Sequence, residues 1–313
     1  MHTVPGIIQG LRDPLGAFLQ LLTGVLGHVV STASGDLSAE LSRYLFATVD
    51  PTVPGARPLT ANPAISHLNL GLSVAADVLV AGVVLYASLR SMFERSISAR
   101  YTLKVVLPRV LAALALVHGS LFFMQMSIDL NNAIGHVALS LGEAVTTGTL
   151  PWSASMNPAA VAAIQASQDL FRALFALGVV VGLVILVLAY VVRTALLGVL
   201  IVVAPLAALC SVLPETRGYA HTWLRLFMVT VFMQALQLIV LRVATAIGLG
   251  GGGGIAGSLY ALATLWIMLK VPGALNTASH YETRAHTMAH QVERSVRRAI
   301  APVHAAVHRR VSA

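Results

Sequence analysis

The sequence predicts an all-α fold, a polytopic transmembrane helical bundle of about five crossings, and three observations lead there. The first is solvent preference: 57% of the 313 residues are hydrophobic and only 10% are charged, whereas soluble domains carry roughly 25% charged residues. The second is block length. The apolar residues come in runs near the ~20 residues that a helix needs to cross ~30 Å of hydrocarbon. The third is the clustering of Lys and Arg in particular connections, the bias that marks cytoplasmic loops. Alternating short segments that would suit a membrane β-barrel are not visible. Aromatics are few, at 6%, and Ala, Val, Leu and Gly dominate, so helices should pack by close backbone approach. Cys210 is the single cysteine, which excludes an intrachain disulfide and a cysteine zinc site.

The chain begins with a stripe, Ile8, Leu11, Leu15, Phe18, Leu22, Val25 and Val29, spaced by threes and fours as on one face of a helix. Arg12, Gln20 and His28 interrupt the other face, which suits a helix lying at the interface or packed on a partner. It does not read as a cleaved signal peptide. Pro51, Pro54, Pro58 and Pro63 then predict a loop over 47–67.

The first span is expected at 68–89 and the second at 110–126. Between them Arg90, Arg95, Arg100, Lys104 and Arg109 stand against Glu94 alone, the strongest cytoplasmic marker in the chain. The stretch 128–169 contains Asp129, Glu143 and Asp169 and no Lys or Arg, so it is expected outside. A third span at 174–192 returns inward and ends at Arg193.

The block 194–213 is apolar but contains Pro205, a place to break a helix. If it crossed fully, Arg217, Arg225 and the basic tail would lie outside, against the charge bias. The reading taken is therefore a re-entrant or interfacial broken segment, which is tolerated where protein buries its backbone. A fourth span at 226–247 and a fifth at 255–270 follow, with six crossings as the alternative. From Lys270 onward seven basic residues, including Arg294, Arg297 and Arg298, face Glu282 and Glu293, a net of +5 out of the total +8. Apolar residues at helical spacing make this tail a basic amphipathic helix suited to anionic lipid, a partner or nucleic acid. The resulting organisation is an outer N-terminal helix and loop at 1–65, a transmembrane domain at 66–272 with outer loop 128–169, and a cytoplasmic tail at 273–313.

No catalytic constellation is present: there are no neighbouring paired carboxylates, no nucleophile elbow, no metal-spaced cluster in the membrane, and no cofactor is implied. His286 and His290, and His304 and His308, have i, i+4 spacing but lack an acidic or cysteine partner, so solvated histidines are the better reading. The glycines from Gly248 to Gly254 have neither the preceding strand nor the following Lys-Ser or Lys-Thr of a phosphate loop, and read as a flexible turn. Gly178 and Gly182 form a small-x-x-x-small pair suited to close helix contact. Asp77, Gln234, Gln237 and Arg242 are expensive polar groups at membrane depth, which hold helices together, line a passage, or in the case of Arg242 snorkel.

From 191 to 243 the chain reads VVRTALLGVLIVVAPLAALCSVLPETRGYAHTWLRLFMVTVFMQALQLIVLRV and resembles the TrbL family of inner-membrane subunits in conjugation and type IV secretion machines. The features that carry the resemblance are Arg193, the Ala204-Pro205-Leu206 run, Pro214, Trp223, and the side of the next span bearing Phe227, Phe232 and Gln234. The resemblance implies an outside N-terminus, about five crossings, an inside C-terminus and no enzymatic activity. It also implies a homo-oligomeric platform in the cytoplasmic (inner) membrane beside an ATPase and periplasmic or surface channel proteins, contacting DNA or protein in transit. The rival expectation, a secondary transporter for a small solute, would need paired broken helices in two repeats, and only the Pro205 segment offers one.

Overall fold

The computed structural model describes residues 44–52, 57–93, 97–142, 170–211, 216–247 and 255–275, with scattered positions elsewhere up to Thr277. Met1–Val271 form one compact unit and Pro272–Ala313 a second. The described elements are helical throughout. After a 3-10 turn, Leu59–Ala61, come α1 (Pro63–Phe93), α2 (Ile97–Ser140), α3 (Leu170–Cys210) and α4 (Arg217–Ala246), and then α5 (Ile255–Leu275). All five contain stretches long and apolar enough to cross a membrane, so the chain is a multi-pass membrane protein. The described positions from Phe18 to Leu45 are also helical, in line with the N-terminal stripe. Arg294, Arg297, Arg298 and Pro214 lie outside the described residues.

Helix starts and stops have local causes. The Asn62 side-chain oxygen accepts the Ala64 N–H at 2.9 Å, and Pro63 occupies the first helical position, where its missing N–H costs nothing. At the far end of α2, Gly142 has φ +88°, the left-handed conformation that closes a helix and favours glycine.

Several boundaries differ from the sequence reading: α1 begins at Pro63, inside the expected loop, and α2 begins at Ile97, inside the expected basic connection. The α2 helix runs on to Ser140, so the first part of the stretch expected as an outer loop is helical; Gln125, Asp129 and Asn131 end the hydropathy signal there without ending the helix. The larger correction concerns the block beginning at Thr194. It neither breaks nor turns back, because α3 is one continuous helix of 41 residues with Pro205 inside it.

The physical reason is visible around the proline. Pro205 cannot donate to the carbonyl of Ile201, four residues earlier. That carbonyl accepts instead from the Asn69 side chain of α1 at 2.8 Å. The preceding carbonyl, Leu200, accepts from the Trp223 indole of α4 at 3.2 Å. The Asn69 donor thus satisfies the carbonyl that the proline strands inside an apolar helix, whereas the Leu200 carbonyl has the Ala204 N–H as its helical partner and the indole is an added contact.

The helix α3 is the spine of the bundle, and its partners change along its length. Near its start Gly178 and Gly182 face Leu262 and Leu265 of α5, close enough that a Cβ at Gly182 would sit 3.1 Å from Leu265. The glycine pair therefore serves contact within the chain. Further along, Gly198 faces Ile65, and Leu209 packs with Val80 of α1 and Val110 of α2. Thus α5 packs on the first half of α3 and α1 on the second. The core divides in the same way: one buried cluster joins Leu41, Leu45, Trp152, Tyr190 and Leu265, and another joins Leu59, Ile128, Leu197, Ile201 and Phe227.

Candidate functional site

Between the two apolar clusters lies a belt of polar side chains, built where α2, α3 and α4 meet residues 44–52. Arg193 is its centre, only 3% exposed. Its Nε donates to the Thr230 carbonyl at 2.8 Å, and its Nη2 donates to the Val231 carbonyl and to the Thr48 hydroxyl, each at 3.0 Å. All three acceptors are neutral. Among the described residues, this arrangement holds the guanidinium in the interior by hydrogen bonds to neutral acceptors.

Gln234 completes the belt. Its carbonyl accepts from the Thr48 hydroxyl and from Asn131, while its amide donates to the carbonyls of Tyr44 and Leu45 at 3.1 and 2.7 Å. Asn132 grips the backbone of Thr48 from both sides, accepting from its N–H at 2.9 Å and donating to its carbonyl at 3.3 Å. Irregular backbone inside a membrane protein needs such partners, because no water replaces them. Asn131 also accepts from the N–H of Ala235 at 3.2 Å. That N–H and the Val231 carbonyl held by Arg193 are four residues apart, partners in an undisturbed helix, so one step of the α4 ladder is shared with side chains from α2 and α3.

Two residues beyond Thr48, Asp50 is buried as well. Its carboxylate accepts from the Thr52 N–H and hydroxyl at 2.9 and 2.6 Å and from Asn62 at 3.1 Å. Burial alone would raise its pKa, but the bonds from Thr52 and Asn62 and the nearby Arg57 charge prevail and hold it below the ordinary carboxylate value. Asp50 thereby ties residues 50–52 to the cap of α1.

The remaining residues expected from sequence are spread out. Gln237, one turn beyond Gln234, donates to the Met268 carbonyl of α5 at 3.0 Å. Among the described residues, its own oxygen and the Tyr190 hydroxyl have no hydrogen-bond partner, though both are buried. Arg242 lies against Gly142 at the end of α2, where a Cβ would fall 2.2 Å from its Nη2; a cation suits the negative end of a helix dipole. Ala204 and Pro205 are buried in α3, and the Trp223 ring stacks on Phe227 with centroids 5.8 Å apart. Asp77 is not in the belt. It faces outward beside His118 of α2, with Oδ1 and Nε2 3.4 Å apart.

The structure therefore brings together Arg193 and Gln234, links Pro205 to Trp223 through the α3 backbone, and leaves Asp77 apart. Thr48, Asn69, Asn131 and Asn132 were missed from sequence. The three asparagines had a readable signal, as amides inside or beside apolar spans, whereas Thr48 had none. Among the described residues no group of three or more His, Cys, Asp or Glu could hold a metal ion.

Searches of curated proteins and of solved structures found no match. A family model described as conjugal transfer protein TrbL matches residues 107–302, well over half of the chain. The matched region contains every belt residue of α2, α3 and α4.

Proposed function

The chain belongs to the TrbL family of conjugal transfer proteins, and from that premise we propose that it is a structural and channel subunit helping DNA or protein substrate across the cytoplasmic membrane. The observation that carries this reading is the belt centred on Arg193. Apolar packing alone would hold five helices together; a buried cation and its amide frame cost energy to place in a membrane, and such groups are retained where helices must be fixed in one register or polar cargo handled. The role proposed is non-catalytic: the belt supplies donors, acceptors and one charge, with no nucleophile or base aimed at a reacting centre.

In this reading the N-terminus lies outside and the C-terminal tail inside, because the basic residues at 90–109, at Arg217 and Arg225, and after Lys270 then all face the cytoplasm. The basic tail is positioned to meet anionic lipid or a cytoplasmic partner. The partners proposed are further copies of the chain, an energising ATPase, and periplasmic or surface channel proteins. The transporter alternative rests mainly on Asp77, whose outward position beside His118 does not line an interior passage.

The test is gentle detergent extraction from native membranes, capture through an added tag, and identification of what co-purifies. Recovery of a secretion ATPase and channel subunits supports the proposal. A homo-oligomer free of such partners, in cells that still transfer substrate when the gene is deleted, overturns it.

A further inference from the structure

Arg193 has more donors than the bundle uses. Its Nε serves the Thr230 carbonyl, and its Nη2 serves the Val231 carbonyl and the Thr48 hydroxyl; these bonds leave the N–H groups of Nη1 without an acceptor among the described residues. The charge is unmatched as well. A guanidinium is protonated at neutral pH, and among the described residues the side chain that acts on it electrostatically is Tyr190 rather than a carboxylate. Asp50, two residues from Thr48, gives its carboxylate to Thr52 and Asn62 instead.

Tyr190 supplies a second, independent observation. It lies one turn before Arg193 on the same face of α3 and is 1% exposed, and among the described residues its hydroxyl has no hydrogen-bond partner. A buried tyrosine hydroxyl normally finds one, because desolvating it without a partner costs free energy. The polarity of the pair selects its ligand: N–H and O–H donors beside a positive charge suit an anion. A water molecule would accept the hydrogens and leave the buried charge uncompensated. Size selects further. Arg193 is 3% exposed, so a phosphate or an organic acid would bury additional oxygens without donors, whereas a monatomic ion has none. Gln237 does not belong to the site: its unbonded atom is an acceptor oxygen, which repels an anion, and its amide nitrogen is held by the Met268 carbonyl.

We propose that Arg193 and Tyr190 bind a chloride ion, with Nη1 of the guanidinium and the phenol hydroxyl as its donors. The same guanidinium fastens Thr48 and two carbonyls of α4, so the ion completes the charge balance of the belt and couples its packing to the anion content of the medium. This goes beyond the reading of the chain as a transfer subunit and does not rest on it.

The test is thermal unfolding of the full chain in neutral-detergent micelles, followed by helical circular dichroism, as chloride replaces gluconate at constant sodium and ionic strength so that screening is unchanged. A ligand that binds the folded state alone stabilises it by mass action, so the midpoint should rise with chloride; above the dissociation constant, each tenfold increase should multiply the folded-to-unfolded ratio by about ten. Tyr190→Phe keeps the ring and removes the hydroxyl, and the chloride needed for half the effect should rise severalfold. Arg193→Gln should abolish the dependence, and Gln237→Met should leave it as in the wild type. If Arg193→Gln does not fold, the contrast between Tyr190→Phe and Gln237→Met decides. A wild-type midpoint that is the same in chloride and gluconate overturns the site. So does a dependence equal in the wild type and Tyr190→Phe, which marks a general anion effect, or a shift in Gln237→Met as large as in Tyr190→Phe, which means that the hydroxyl serves the amide.

Discussion

Asn69 is expected to matter because of Pro205, and a double-mutant cycle isolates that dependence. Asn69→Ala removes the side-chain donor that reaches the Ile201 carbonyl, a bond of 2.8 Å in a buried site. Leaving a buried acceptor unsatisfied costs about 1–3 kcal/mol. In a Pro205→Ala background residue 205 regains an N–H that can serve the same carbonyl within α3, so Asn69→Ala should then cost little beyond its lost packing. The expected coupling between the two sites is therefore about 1–2 kcal/mol. The assay is reversible unfolding in mixed micelles by SDS titration, followed by helical circular dichroism, on the wild type, both single variants and the double variant. Independent sites add to within about 0.3–0.5 kcal/mol. An additive cycle, with Asn69→Ala costing the same in both backgrounds, would refute the account of how α3 stays continuous.

Arg193→Leu and Pro205→Ala should each abolish substrate transfer in a mating or secretion assay while membrane insertion stays intact; normal transfer in both would detach these family-motif positions, and with Arg193 the belt, from function. Gly142→Ala forces a side chain into a φ of +88° and against Arg242 Nη2, and should destabilise the bundle by about 1–2 kcal/mol in the SDS titration. For Asp50, whose folded pKa lies below the ordinary 3.8, the carboxylate stabilises the fold at neutral pH and loses that contribution as the pH falls below about 4 toward the folded value. Thermal stability in micelles should accordingly drop on acidification in the wild type and less so in Asp50→Asn.

The fold class was legible because it rests on quantities that add along the chain. Hydropathy summed over ~20 residues locates apolar helices, and the charge census of connections proposes an orientation; both survive without knowledge of any contact. Gly178 and Gly182 were readable as close-contact positions, though only the structure names Leu262 and Leu265 as what they touch. Arg193, Pro205 and Trp223 could be singled out by family resemblance, but nothing local says that Asn69 supplies the donor Pro205 leaves wanting or that Trp223 bonds the carbonyl before it.

By itself, the sequence determined that this protein is an all-helical membrane protein, with Gln234 a costly polar group among apolar neighbours and Arg193 a position marked only by the family resemblance. Only the tertiary structure decided that Pro205 does not break α3, that Arg193 and Gln234 share a belt with Thr48 and Asn131, and that Asp77 faces outward. The physical reason is range. Helix propensity and hydropathy act over one or two turns, whereas the bonds from Asn69 to Ile201 and from Arg193 to Thr48 join residues 132 and 145 positions apart and exist only once the helices are packed.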